Sequence, residues 1–130
     1  MKNRELDSFG EILMLQVRDR AINQWIGIVE GRMKSPHSRE IFERLQHLEF
    51  EDRDYIKQLF SEVVDTTLDF MLSLVEEKSS VDITFHTKSG NTVNIMNISD
   101  GLAGELYADD GWISRFSKFG DIERCGHSPP

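Results

Sequence analysis

An α+β fold is predicted by two patterns in one chain. Apolar side chains recur every three or four positions up to about residue 77, then every second position from Val81. The first period is that of amphipathic helices and the second that of half-buried strands. With 130 residues, 38% of them hydrophobic, the chain suits one core rather than two. The sequence therefore predicts a single domain over residues 1–120 and a frayed C-terminal tail over 121–130.

The first helix spans about residues 5–33, where Phe9, Ile12, Leu13, Val17, Ala21, Ile22, Trp25, Ile26, Val29 and Met33 form the apolar stripe. Asp7 or Ser8 caps its start, and Gly31 with Ser35-Pro36 supplies the stop. Such a helix is about 40 Å long, more than a small core covers on one side, so it bends near Gly27 or a partner covers part of it. A second helix, about 38–48, starts at Ser38 and turns Ile41, Phe42, Leu45 and Leu48 inward. A third, about 52–77, places Ile56, Leu59, Phe60, Val63, Val64, Thr67, Phe70, Met71, Leu74 and Val75 inward. Acidic Glu51, Asp52 and Asp54 oppose the positive end of its dipole.

Alternation from Val81 to Lys88, a Ser89-Gly90 turn and its resumption at Val93 and Ile95 predict a β-hairpin of about 81–88 and 91–98. The pattern slips between Met96 and Ile98, where a bulge or strand end is expected. Two strands alone are marginal in water, so the hairpin lies on the helices or finds further cover. The Gly- and aromatic-rich remainder reads as irregular, with a short strand at 105–107.

Net charge is −8, and it is uneven: +2 over residues 1–39, −8 over 40–77 and −2 over 78–130. An acidic balance argues against nucleic-acid binding, which draws its affinity from Lys and Arg. A lone Cys125 leaves no disulfide framework, and no apolar run approaches the roughly 20 residues that span a bilayer. The N-terminus carries no signal-like apolar stretch, so a cytoplasmic protein is expected.

Familiar catalytic spacings are absent: no G-x-S-x-G, H-E-x-x-H, G-x-x-x-x-G-K-[ST] or G-x-G-x-x-G occurs. The residues before Asp100-Gly101 and Asp110-Gly111 lack the oxygen ligands of a calcium loop. Cys125-Gly126-His127 offers two soft ligands where zinc wants four, and His37, His47 and His86 share no spacing.

The pattern with chemical content is carboxylate. Glu40 and Glu43 sit three apart on the second helix, and Glu62, Asp65 and Asp69 follow on the third. Residues three or four apart share a face, so antiparallel packing of the two helices brings the pairs toward one another. That arrangement would hold Mg²⁺ or Mn²⁺, which neutralises a diphosphate and activates water. The same spacing equally describes a solvated helical face.

This E-x-x-E followed by E-x-x-D resembles the all-α nucleoside triphosphate pyrophosphohydrolases of the MazG type, over about residues 38–75. The resemblance implies Glu40, Glu43, Glu62 and Asp65 as metal ligands of a divalent-metal-dependent hydrolase. Ser99 to Tyr107, Asp110 to Ile113 and Val17 to Arg20 are similar to a group of small bacterial proteins sometimes labelled "epimerase", a resemblance that supplies no catalytic residue.

Without an enzymatic constellation of its own, the sequence reads first as a non-enzymatic, acidic interaction protein, an inhibitor or immunity-like module without a cofactor. A homodimer and a basic protein partner are the expected contacts, with Asp69, Tyr107, Trp112 and Phe116 as interaction residues. Trp25, within the apolar stripe, reads as helix core.

Overall fold

The long N-terminal helical pattern folds as two α-helices separated by a π-helical turn. Helix α1 spans Arg4–Leu13, the π-turn Met14–Arg18 and α2 Asp19–Val29. The structure, a computed structural model, describes residues 3–77 and 80–119. The cap of α1 is Asn3 rather than Asp7 or Ser8; its Oδ1 accepts from the Leu6 N–H at 3.0 Å. At the other end, Gly31 adopts φ +80° while the N–H groups of Arg32 and Gly31 donate to the carbonyls of Gly27 and Ile28, closing a Schellman cap.

The π-turn changes which residues face inward. A π-turn holds one residue more than an α-turn, so the inward stripe moves by one position beyond it. Met14 is followed on the buried side by Arg18 in place of Val17 and then by Ile22, while Val17 and Trp25 are exposed. Trp25 is thus not core: it is 41% exposed and leans on Phe60 with ring centroids 5.9 Å apart. The irregularity expected near Gly27 lies at Met14–Arg18 instead.

Helix α3, Pro36–Leu45, is capped by Ser35, whose Oγ accepts from the Ser38 N–H, with Pro36 in its first turn. Helix α4, Phe50–Glu77, is 28 residues long. It buries Ser61, Asp65, Leu68, Leu72 and Val75, whereas Val63, Thr67, Phe70, Met71 and Leu74, expected inside, point outward. Both sets recur at helical spacing, so α4 is apolar on two opposed faces and only packing distinguishes them.

The hairpin forms, shorter than expected. Strand β1, Thr84–His86, pairs antiparallel with β2, Thr92–Asn94, with Phe85 opposite Val93. At the slip in alternation the chain enters a 3₁₀ turn, Ile95–Ile98, capped by Asn94 Oδ1 accepting from the Met96 N–H. The hairpin is covered by the core: Ile83 and Phe85 pack on the cluster that includes Ile95, Leu13 and Met14.

The expected strand at 105–107 is overlapped by a 3₁₀ turn, Ala103–Leu106, followed by a short helix α5, Trp112–Phe116. The fold is thus α+β, mostly helical with one two-stranded antiparallel hairpin. Among the described residues no helix is long and apolar enough to cross a membrane. The tail expected over 121–130, with Cys125, lies outside the described residues.

Candidate functional site

Helix α4 carries most of the charged side chains singled out by sequence, and its position is fixed by a buried ion pair. The π-turn brings Arg18 into the interior at 0% exposure, where a guanidinium requires partners. Its Nε donates to Asp65 Oδ1 at 2.5 Å and its Nη2 to Asp65 Oδ2 at 3.1 Å, the bidentate geometry that suits planar groups. Nη1 donates to Ser117 Oγ at 2.8 Å and lies 3.7 Å from Asp19 Oδ1.

Asp19 in turn holds the C-terminal segment. Ser117 Oγ–H donates to its Oδ1 at 2.6 Å and the Lys118 N–H to its Oδ2 at 2.7 Å. Arg18, Asp19, Asp65 and Ser117 therefore join the N-terminal helices, α4 and the end of α5 in one network. These donors and acceptors are directed at one another, which makes the network a positioning device for α4.

The faces of α4 that turn away from this network have different chemistry. Glu51, Tyr55, Glu62, Asp69 and Glu76 lie along one flank, the last four seven residues apart. Tyr55 is 60% exposed, Glu51, Glu62 and Glu76 are exposed, and Asp69 is half-buried. Tyr107 seats Asp69: its hydroxyl lies 3.4 Å from Asp69 Oδ2 and 3.3 Å from the Asp65 carbonyl. Glu76 accepts from the Ala103 N–H at 2.6 Å. Beside this acidic flank runs the outward apolar stripe of Val63, Phe70 and Leu74.

The other sequence-predicted residues are placed differently. Trp112 is fully buried, its ring edge-on to Phe9 at 5.6 Å between centroids, and so belongs to the core rather than to an interaction surface. Gly10 leaves room for this indole at the start of α5; a Cβ at Gly10 would overlap it. Among the described residues the indole N–H has no acceptor. Phe116 is half-buried beneath the Arg115 guanidinium, 4.7 Å from the ring centroid. Arg115 also donates to Asp7 at 2.9 Å, and this hydrogen bond raises its pKa.

The four carboxylates of the pyrophosphohydrolase resemblance are not brought together. Helix α3 packs on α2 rather than along α4, so Glu40 and Glu43 remain on an exposed face, Glu40 paired with Arg44 at 3.2 Å. Asp65 is engaged with Arg18, and Glu62 is exposed on the flank. Among the described residues no group of three or more His, Cys, Asp or Glu gathers where it would hold a metal.

A groove of about 560 Å³ opens between α1 and the hairpin, lined by Arg4, Glu5, Glu11, Phe85, His86 and Lys88 among others. Its charged lining is mixed in sign. Sequence reasoning missed Arg18 and Asp19, because an uninterrupted helical period leaves them outside the apolar stripe and only the π-turn brings them inward.

No protein-family model, curated protein or solved structure matches the chain.

Proposed function

We propose that the protein is a non-enzymatic interaction module that binds a basic protein partner through the acidic flank of α4, as an inhibitor or immunity-like protein of the bacterial cytoplasm. The observation that carries this reading is the alignment of Glu51, Tyr55, Glu62, Asp69 and Glu76 along one rigid helix. Residues 40–77 hold 11 acidic and 3 basic side chains, and 3 minus 11 equals the whole chain's net charge of −8. A surface of one sign steers an oppositely charged partner and fixes its register, while an exposed Tyr supplies contact area at small entropic cost. The buried Arg18–Asp65 pair supports the reading by holding that helix in place before a partner arrives.

The test is capture from a bacterial lysate with the wild-type chain and with a Glu51→Gln, Tyr55→Ala, Glu62→Gln variant. The expected result is a basic protein retained by the wild type, released as salt rises, and absent from the variant although it remains folded, with its thermal midpoint lowered only slightly by the loss of the Glu51 charge at the start of α4. Identical sets of retained proteins on both baits would remove the flank from consideration. A rise of thermal midpoint that requires both Mg²⁺ and a nucleoside triphosphate would instead favour the hydrolase reading.

A further inference from the structure

We propose that a second copy of this chain docks antiparallel on the outer apolar face of α4, across a two-fold axis passing between Thr66 and Thr67. Four large side chains on that face are left in water: Phe70 at 72%, Val63 at 63%, Leu74 at 45% and Met71 at 38% exposure. Their exposed parts sum to on the order of 400 Å², since a large aromatic side chain presents roughly 150–250 Å². A patch of that size is comparable to the largest apolar patch of a typical monomer, which is often a functional surface. Two copies bring about 800 Å² of it together, and Trp25 and Phe60 on the adjoining edge carry the pair toward the roughly 1,200–2,000 Å² of a stable interface.

The occupant is a second copy because the stripe is its own complement. About the axis between Thr66 and Thr67, Val63 faces Phe70 of the other copy and Leu59 faces Leu74. The short side chains of Thr66 and Thr67 stand where the helices approach most closely, and the stripe from Val63 to Leu74 carries no charge on its outer line. A two-fold of this kind sets like flanks side by side. On one edge the half-exposed Trp25 and its neighbour Phe60 meet Met71 of the other copy. On the other, the two acidic flanks merge into one surface, and only that consequence rests on the reading in the preceding subsection.

Sedimentation equilibrium on the full chain at micromolar concentration is expected to show a dimer that tightens with salt, because the merged acidic edge is then screened. Phe70→Glu, at an exposed position of the monomer, weakens it at least about a hundredfold, by burying a charge in the seam, with the helical circular dichroism unchanged. Association moves Trp25 emission to the blue, and Trp25→Phe removes that change because Trp112 is buried in either state. In a Cys125→Ser background, Thr67→Cys oxidises to a linked dimer while Glu77→Cys, about 30 Å from its copy, does not. A monomer throughout, a dimer indifferent to Phe70→Glu, or equal linking at both cysteines overturns the proposal. The Glu51→Gln, Tyr55→Ala, Glu62→Gln variant still dimerises, so loss of a basic partner and loss of the dimer are separate results.

Discussion

Arg18 and Asp65, 47 positions apart in sequence, meet in the interior through two parallel hydrogen bonds of 2.5 and 3.1 Å. A buried ion pair of this kind adds little net stability, since desolvating both charges offsets most of their attraction. Its effect is on geometry: the pair is satisfied in one relative placement of the N-terminal helices and α4, and the acidic and apolar outer faces of α4 take their directions from that placement.

Removing one partner is therefore far more costly than removing both. Asp65→Ala leaves the Arg18 guanidinium buried without its bidentate acceptor and is expected to cost about 3–5 kcal/mol. Arg18→Met combined with Asp65→Leu is expected to lose less, because the space is refilled with apolar groups and Asp19, parted from Arg18, keeps its hydrogen bonds from Ser117 Oγ and the Lys118 N–H. Chemical denaturation of Arg18→Met, Asp65→Leu and the double variant that combines them gives the coupling energy. Additive losses would show that the two side chains act independently.

Asp19 fastens the end of the described chain by accepting from Ser117 Oγ and the Lys118 N–H. Asp19→Ala is expected to free that segment while leaving the core cluster packed, so tryptic cleavage after Lys118 accelerates several-fold and the Lys118 amide exchanges faster. Cleavage at the wild-type rate would mean that the segment is held by other contacts.

The α+β class, the order of elements and the hairpin turn were legible because each rests on a local period or on turn residues such as Ser89-Gly90. The inward face of the N-terminal helices was not. A 3.6-residue period carried through Met14–Arg18 selects Val17, Ile22 and Trp25, and the single extra residue of the π-turn keeps Ile22 inside but puts Arg18 there in place of Val17 and turns Trp25 out. In α4 the difficulty differs: Phe70 and Leu72 are both apolar, and which one is buried depends on contacts distant in sequence. The carboxylate pairs were visible as a pattern, whereas their placement depended on α3 packing against α2, which no local spacing encodes.

Gly10 and Trp112 make the closest steric prediction. A Cβ at position 10 would fall within 2.5 Å of three indole atoms, too near for either side to remain in place. Gly10→Ala is expected to destabilise by about 1–3 kcal/mol through overpacking, despite the higher helix propensity of Ala. Trp112 emission is expected to shift to the red as the ring is pushed from its site. A more stable variant would show that the indole moves aside at no cost.

Glu30 provides the pH-dependent prediction. Its carboxylate accepts from Lys57 Nζ at 3.1 Å and from Arg32 Nε at 3.1 Å. The Lys57 hydrogen bond is the largest influence on it and, with Arg32 adding to it and burial opposing, holds its pKa below the ordinary 4.5. A carboxylate with a depressed folded-state pKa contributes stability above its unfolded value and loses that contribution as pH falls through the folded value. The pair is largely solvated, so the effect on stability is small, and the titration itself is the sensitive readout. Carbon-detected NMR of the Glu30 carboxyl is expected to give a midpoint below 4.5 in the wild type. In Lys57→Met the midpoint moves up toward that value and the acid limb of the stability curve flattens slightly. An unchanged Glu30 midpoint in Lys57→Met would show that the bridge from α2 to α4 is not formed in solution.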